Sequence, residues 1–222
     1  MSGLKIVTGP AVEPISRVEA RDHLRLDEDV DDSQVRIYIQ AAVNWAENYT
    51  GRSFINRTLK MYLDGAREVD SNLWEGVRTG PSNPNYVNYL ELGATPVSSV
   101  TAIKYFADDD TETTWDASNY YVDNISEPAK IVLRSGGTYP TDLRSNNGIE
   151  ITFVAGYGAS ASDVPEAIRV SILQYMTYLY EHRGDFENNT QPPSVIRSLL
   201  DPYRVLRFST TPYENKMKVG MV

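Results

Sequence analysis

Toward the N-terminal end of the chain, hydrophobic positions repeat with the spacing of an α-helix. Apolar residues recur at intervals of three and four positions along one predicted helix: Val35, Ile39, Ala42, Ala46 and Tyr49. This spacing places them on a single helical face that can pack against a core. Asp31 or Asp32 is a suitable N-terminal cap, and Gly51 suits the left-handed conformation that ends many helices.

Three further helices are predicted from local signals. Ser16 and Glu19 fit a capping box, so a first helix begins at Ser16. Another helix follows Asp163, which we interpret as its cap, with Pro165 in its first turn. A short helix is predicted over Ser194–Leu200.

The helix after Asp163 is apolar on most of its sides. Ile168, Ile172 and Met176 define one face, and further apolar residues lie around the rest of the circumference: Val170, Leu173, Tyr178 and Tyr180. A helix of this kind is either central to its own fold or packed against a neighbouring chain. We therefore name these four residues as candidates for a contact between subunits.

The middle of the chain has the pattern of strands. Short runs of alternating or β-branched residues occur at Thr58–Leu63, Tyr89–Leu92, Val97–Phe106, Glu112–Trp115, Tyr120–Val122, Lys130–Leu133 and Gly148–Val154. Asp108–Asp110 has the character of a hairpin turn, and a loop rich in Gly, Pro and Asn is predicted over residues 72–88. These runs predict a small antiparallel sheet or barrel between helical regions, hence an α+β fold.

The composition is that of an ordinary globular protein with an excess of acid. The 222 residues include 30 acidic and 21 basic side chains, and the formal net charge is −9. This charge argues against holding nucleic acid across the whole surface, since that requires clustered Lys and Arg. Because there is no cysteine, disulfides, thiolate catalysis and cysteine-based metal sites are excluded. With no apolar run long enough for a membrane span and no signal-peptide core, we expect a soluble protein made in the cytoplasm.

Several motifs imitate catalytic or metal sites but lack required positions. The run Asp27–Asp31 has the spacing of an EF-hand loop, but Asp32 and Tyr38 stand where that loop needs Gly and Glu. Gly156-Tyr157-Gly158 lacks the third glycine of a dinucleotide fingerprint, and Asp108–Asp110 is more typical of a solvated turn than of a metal site.

The two histidines do not supply a catalytic set either. His23 and His182 have no paired metal-ligand spacing, and the chain has no G-x-S-x-G elbow that could hold a nucleophile. We predict no catalytic residue, no cofactor and no metal, and therefore no enzyme.

The C-terminal segment has the composition of an interaction surface. It combines apolar and aromatic residues with arginines, a mixture enriched at protein interfaces, in Arg197, Leu200, Tyr203, Arg204, Arg207 and Phe208. The alternative is a helix that packs on its own domain and then continues into a tail; the residues alone favour neither reading.

Seven segments, in chain order, resemble the head–tail connector proteins of tailed phages, the adaptors that complete the head beneath the portal. They are the run from Pro14 to Leu24, the helix from Asp31 that ends Ala46-Glu47-Asn48-Tyr49-Thr50-Gly51-Arg52, Pro96–Val100, Asp116–Tyr120, Phe153–Gly158, Val164–Ile168 and Leu199–Arg204. The resemblance spans most of the chain, but the loop at 72–88 and the residues beyond Phe208 match nothing in it.

This resemblance implies a structural subunit with no cofactor. Its fold would be a ring-forming helical body, residues 1–55 and 160–208, with an inserted antiparallel β-domain, residues 56–159, and a flexible tail, residues 209–222. The protein would lie in the virion at the head–tail interface, in a ring of about twelve copies that lets DNA pass without sequence-specific binding. Its partners would be the portal, neighbouring copies and a tail-side stopper or completion protein. In such adaptors the C-terminal segment engages the portal, which makes the six residues named above portal-contact candidates.

Two other classes of function remain open on the sequence. A carbohydrate- or protein-binding module would place its site on the sheet, with Trp74 and Trp115 as a platform. A hydrolase with dispersed acidic residues would need a pocket that holds carboxylates of perturbed pKa.

Overall fold

The described part of the chain combines four α-helices with antiparallel sheets. A computed structural model describes residues 3–26, 32–64, 73–74, 77–78, 89–183 and 192–205. The helices are α1 (Arg17–Leu24), α2 (Asp32–Thr50), α3 (Glu166–Glu181) and α4 (Ser194–Leu200). The strands are β1 (Gly3–Thr8), β2 (Arg57–Leu63), β3 (Leu73–Trp74), β4 (Val77–Arg78), β5 (Tyr89–Glu91), β6 (Val97–Phe106), β7 (Glu112–Thr114), β8 (Tyr120–Asp123), β9 (Lys130–Leu133) and β10 (Ile149–Ala155). The prediction of an α+β fold is confirmed.

The strands form a five-stranded sheet, a three-stranded sheet and a two-stranded ribbon. The five-stranded sheet has the order β1-β2-β10-β6-β7, the smaller sheet the order β5-β9-β8, and β3 pairs with β4. Every pairing between these strands is antiparallel. The last strand, β10, lies at the centre of the larger sheet, so the sheet is completed only when the chain returns from β9.

The sheets enclose one hydrophobic cluster. Alternate residues of adjacent strands supply it, including Leu59 and Met61 from β2 with Ile151 and Phe153 from β10. The period of two is the one that the sequence pattern predicts for strands with one buried face. Trp115 completes the cluster and is 5% exposed.

The helices enclose a second cluster. It includes the predicted α2 positions Val35, Ile39, Ala42 and Ala46, with Ile168, Ile172 and Met176 of α3 and Leu200 of α4. All of these side chains are at most 1% exposed. The helical periodicity of the sequence therefore identified the buried face of α2, although Tyr49 at its end is only half-buried.

The helix ends confirm two local predictions. The Glu19 N–H donates to Ser16 Oγ at 3.2 Å, and the Ser16 N–H donates to Glu19 Oε2 at 2.8 Å, which is a complete capping box. Gly51 follows α2 with a φ of +72°, a conformation in which a side chain would be strained.

Three local predictions differ from the structure. Strand β1 was not predicted; residues 3–8 fall in the segment assigned to the helical body, yet they form an edge strand on β2. The loop predicted over residues 72–88 contains the short strands β3 and β4. Asp163 does not cap α3: its carboxylate accepts the Ser160 N–H at 2.9 Å within the turn that precedes the helix.

Candidate functional site

The C-terminal end of α2 meets the C-terminal segment of the chain. The Val205 N–H donates to the Thr50 carbonyl oxygen at 2.8 Å, directly before the left-handed Gly51. A Cβ on Gly51 would lie 3.7 Å from the Val205 side chain. This backbone contact joins two of the segments that carry the family resemblance, Tyr49-Thr50-Gly51-Arg52 and Leu199–Arg204.

Tyr49 binds the C-terminal segment through its ring and its hydroxyl. The hydroxyl donates to Asp201 Oδ1 at 2.6 Å, and the Arg204 guanidinium lies 4.8 Å from the ring centroid. The hydrogen bond to Asp201 raises the pKa of the Tyr49 hydroxyl above its ordinary value. Arg204 and Asp201 are themselves 4.0 Å apart, so ring, carboxylate and guanidinium form one cluster.

Arg52 links the C-terminal segment to the loop after β8. Its Nε donates to the Tyr203 carbonyl oxygen at 2.5 Å, its Nη1 donates to Glu127 Oε1 at 2.7 Å, and its Nη2 pairs with Glu127 Oε2. The side chain of Arg52 is 11% exposed and that of Glu127 is 42% exposed. This bidentate geometry is specific to arginine, because lysine has no planar fork of donors.

Glu47 holds the turn between α2 and β2. Its Oε1 accepts the Phe54 N–H at 2.9 Å and also pairs with Arg57. Burial raises the pKa of the Glu47 carboxyl, while the bonds from Phe54 and Arg57 act in the opposite direction. The hydrolase alternative requires a carboxyl group with a perturbed pKa, and Glu47 has one. Its hydrogen bonds to Phe54 and Arg57, however, give it a structural role in the turn between α2 and β2.

The segment Gly156-Tyr157-Gly158 lies against residues 54–56 and has a structural role. The Tyr157 N–H donates to the Phe54 carbonyl at 3.1 Å, and the Asn56 N–H donates to the Gly158 carbonyl at 2.9 Å. Gly156 has a φ of +149°, and a Cβ there would lie 2.4 Å from the Asn56 nitrogen. Gly156 therefore permits close backbone packing, and a Cβ on Gly158 would lie 2.1 Å from the Asp163 carboxylate.

A row of half-buried aromatic rings connects α2 to α3. Trp45 stacks on Tyr49 at 5.3 Å and contacts Tyr175 at 4.6 Å between ring centroids. Tyr175 stacks on Tyr178 at 6.4 Å, and Tyr178 stacks on the His182 ring at 4.2 Å. Periodicity alone does not show this row, because its members come from two helices far apart in sequence.

The portal-contact candidates have different environments. Arg197 and Tyr203 are half-buried, Arg204 is exposed, and Leu200 is fully buried in the helical cluster. For Leu200, packing on its own domain is therefore the better description. Arg207 and Phe208 lie outside the described residues.

The four subunit-contact candidates of α3 also differ. Val170 is 40% exposed, and Tyr178 is half-buried within the aromatic row. Leu173 packs against the helical cluster, and the Tyr180 ring meets the Tyr38 ring edge-on at 5.9 Å. Of the four, only Val170 is exposed, and the other three are half-buried.

The described residues hold no metal-type cluster of His, Asp and Glu. Asp109 caps its own hairpin turn by accepting the Thr111 N–H at 2.9 Å, and His182 Nδ1 lies 2.9 Å from the Tyr178 carbonyl oxygen.

The proposed aromatic platform is wrong for Trp115, whose indole is buried and donates to the Thr138 carbonyl at 3.2 Å. The side chain of Trp74 and the run Asp27–Asp31 lie outside the described residues. Within those described, no helix has the length and apolar character that a membrane span requires.

The pH dependence of folding tests the Arg52–Glu127 pair. The hydrogen bond from Arg52 lowers the pKa of Glu127, so the native state favours the carboxylate. That contribution to stability is present above the ordinary pKa of a glutamate and is lost as the pH falls through the lowered value. We expect the free energy of unfolding, measured by urea titration, to fall less between about pH 6 and about pH 3 in Glu127→Gln than in the wild type.

Other carboxylates with lowered pKa values, such as Glu19 and Asp123, keep part of this acid sensitivity in the Glu127→Gln variant. Glu181→Gln makes the same charge change at an exposed position and serves as the control. An acid dependence in Glu127→Gln equal to that of the wild type would show that the pair does not stabilise the fold.

Comparison with known proteins finds a family that matches part of the chain. Residues 18–79 match the model of the phage gp6-like head–tail connector protein family. The resemblance to head–tail connector proteins is thereby confirmed. This match agrees with the prediction of a structural connector protein that is not an enzyme. No curated protein matches the chain.

Solved structures with a similar fold come from gene transfer agent (GTA) particles. A chain in the neck of an empty GTA particle, computed with C6 symmetry, is 23% identical with a TM-score of 0.73, and the match covers 94% of this chain and 98% of that one. A chain in the virion of a native GTA particle is 22% identical with a TM-score of 0.72, over the same shares of both chains. A chain in the neck of a native particle, computed with C12 symmetry, is 23% identical with a TM-score of 0.70, again with 94% and 98% covered. At this level of identity the likeness establishes a shared fold.

Proposed function

We propose that this protein is a ring-forming adaptor in the neck of a tailed phage or phage-like particle, where it joins the DNA-filled head to the tail beneath the portal. The observation that carries the proposal is the match of residues 18–79 to the head–tail connector family. The similarity of the fold to chains of GTA necks and virions over 94% of the sequence supports it. The protein acts in the virion after synthesis in the host cytoplasm.

The ring has about twelve copies, a number supported by the C12 symmetry of one of the similar necks. The helical cluster belongs to the ring body, residues 1–55 and 160–208, and the sheet cluster to the inserted β-domain, residues 56–159. Strand β1 is the exception to this division: it lies within residues 1–55, but it pairs with β2 and so belongs to the sheet. A ring of this kind requires two different contact surfaces on each subunit.

DNA passes through the lumen without sequence-specific binding. The formal net charge of −9 is compatible with this part of the proposal, because a net acidic protein does not hold phosphates across its surface. A tail-side stopper or completion protein binds the opposite side of the ring from the portal.

The portal contact is the C-terminal segment from Arg197 onward. In the described part of this segment the contact residues are the exposed Arg204 and the half-buried Arg197 and Tyr203. The proposed contact continues with Arg207 and Phe208. Leu200 is left out of the contact because its side chain belongs to the helical cluster. The bonds from Tyr49, Thr50 and Arg52 fix where this segment leaves the helices, which reduces the entropy lost when a partner binds it.

Cosedimentation with the cognate portal tests this contact. A chain that ends at Val205 keeps the bonds to Thr50, Tyr49 and Arg52 but lacks residues 206–222. We expect it to bind the portal at least about tenfold more weakly than the full chain, a loss of about 1.4 kcal/mol. Full-length Arg144→Ala removes a positive charge on the sheet side and is expected to bind as the wild type does. Equal binding of the shortened and full chains would refute the assignment of residues 206–222, including Arg207 and Phe208, to the contact.

A further inference from the structure

The outer side of α2 carries no charged side chain. Five exposed residues follow one another at intervals of three and four along it: Gln34, Ile37, Ala41, Asn44 and Asn48. Ile37 is 63% exposed. At 1.5 Å per residue this stripe is about 21 Å long. The absence of charge is notable in a chain of which 23% of the residues are charged.

The charged residues of α2 lie elsewhere on the helix or at its start. Arg36 approaches Glu13 at 3.9 Å, and Glu47 pairs with Arg57 in the turn to β2. Asp32 is the first residue of the helix. The helical spacing places Arg36 and Glu47 about 100° or more from Ala41 around the axis. Charge is therefore confined to one side of α2, and the other side has amides and apolar groups.

The uncharged stripe continues into the aromatic row. Trp45 and Tyr49 flank the stripe on α2, and Trp45 contacts Tyr175 of α3 at 4.6 Å between ring centroids. Tyr178 extends the surface along α3 through its stacking on Tyr175. We call the five-residue stripe together with the half-buried rings of Trp45, Tyr175 and Tyr178 the uncharged face. Tyr49 is left out because Asp201 and Arg204 lie against it.

A surface of this composition is typical of the centre of a protein interface. Interface centres lose charged residues and gain aromatic ones, whereas a surface that remains in water is normally charged. Asparagine and glutamine can form hydrogen bonds across such a contact without bringing net charge to it. Because each copy carries a net charge of −9, a second copy approaches with least repulsion where neither surface adds a charge.

We propose that the uncharged face is the surface through which each subunit packs laterally against a second copy of this chain. The proposal rests on the proposed ring function and names one of the two surfaces that such a ring requires on each subunit. The rotational symmetry of the similar GTA necks favours a second copy as the occupant, since every subunit of such a ring has a neighbour on each side. Of the four candidates on α3 the face includes Tyr178, and its stripe extends the contact onto α2.

A single introduced thiol identifies the occupant, because the chain has no native cysteine. Ala41→Cys places a thiol at the middle of the uncharged face, and Ser99→Cys places one at an exposed position of β6 as the control. Each full-length variant is labelled with benzophenone maleimide, assembled on the cognate portal and irradiated. We expect the benzophenone attached at position 41 to cross-link two copies of the chain. The product would have a mass of about 50 kDa, twice the chain mass of 24.9 kDa. We also expect maleimide to react at position 41 at least tenfold more slowly in rings than in the free chain.

The other products would overturn the proposal. A cross-link from position 41 to the portal would make the portal the occupant, and a cross-link within one chain would mean that the chain covers its own face. Reaction of position 41 in rings at the free rate would leave the face uncovered. If the wild type forms no ring on the portal, the proposed function itself fails; if rings form and position 41 stays reactive, only this inference fails.

A charge placed on the face gives an independent readout. Ala41→Glu keeps a good helix former at an exposed helical position, so its melting temperature should equal that of the wild type. We expect at least tenfold fewer rings on the portal by electron microscopy, while Ser99→Glu, with the same charge change, assembles normally. Normal assembly of Ala41→Glu would contradict the proposal.

Discussion

Replacing Gly156 by alanine is expected to destabilise the protein by about 4 kcal/mol, measured as the free energy of unfolding in urea. A Cβ on Gly156 would lie 2.4 Å from the Asn56 nitrogen and 2.5 Å from the Ile55 carbonyl carbon. Both are backbone atoms, so no side-chain rotation relieves the clash. The φ of +149° adds strain for any residue with a Cβ.

Two other glycines distinguish the contribution of the steric clash from that of the strained φ. Gly136 has a φ of +85° but nothing within 4 Å of its Cβ position, so Gly136→Ala measures the backbone strain alone, about 1 kcal/mol. Gly9 also has open space and no positive φ, so Gly9→Ala is expected to change stability by less than about 0.5 kcal/mol. A Gly156→Ala variant no less stable than Gly136→Ala would show that β10 and residues 55–56 do not pack as described.

Replacing Arg52 by alanine is expected to cost about 2 kcal/mol. The substitution removes the bonds to Glu127 and to the Tyr203 carbonyl and leaves both acceptors without this donor. Removing one partner of a fully buried pair costs about 3–5 kcal/mol, but Glu127 is 42% exposed and water replaces part of the loss. Urea unfolding gives the free energy, and faster hydrogen exchange at the Val205 amide would report loosening of the C-terminal segment.

Arg144 provides the matched control. It pairs with Asp110 at 2.8 Å, donates to the Asn147 carbonyl oxygen and lies over the Phe106 ring. Because Asp110 is 77% exposed, Arg144→Ala is expected to cost about 1 kcal/mol, less than Arg52→Ala. Arg52→Lys keeps the charge but not the fork, and should recover only part of the loss. If Arg52→Ala costs no more than Arg144→Ala, Arg52 does not hold the C-terminal segment to the rest of the fold.

Local chemistry made much of the fold predictable. The capping box at Ser16, the Gly51 terminus and the period of α2 each depend on residues a few positions apart. The same holds for β6 and β9, whose bounds Val97–Phe106 and Lys130–Leu133 agree with the sequence pattern. Such elements are determined by signals that a single stretch of sequence contains.

Elements that depend on distant partners were missed. All six residues of β1 are exposed, so no buried face produces an alternating pattern, and the strand exists because its backbone pairs with β2 more than fifty residues later. Asp163 is a residue type that commonly caps helices, but in the turn before α3 its carboxylate accepts the Ser160 N–H instead. Local patterns do not distinguish these alternatives.

The sequence predicted the separate motifs of the candidate site, but it did not predict that they lie together in the fold. The sequence singled out Tyr49–Arg52, Gly156–Gly158 and Leu199–Arg204, whereas Glu127 had no signal at all. Their meeting depends on contacts between residues far apart in the chain, such as Tyr49 and Asp201, which are 152 positions apart. Leu200 shows the limit of composition, because the same leucine suits an interface and a core, and only its burial decides between them.

Electron cryomicroscopy of the protein assembled on its cognate portal tests the central claim most directly. The account predicts a closed ring of about twelve copies coaxial with the portal, an open lumen wide enough for duplex DNA, and the residues from Arg197 onward against the portal. A well-folded protein that forms no ring on the portal, or that binds it away from the axis, would contradict the assignment as a neck adaptor.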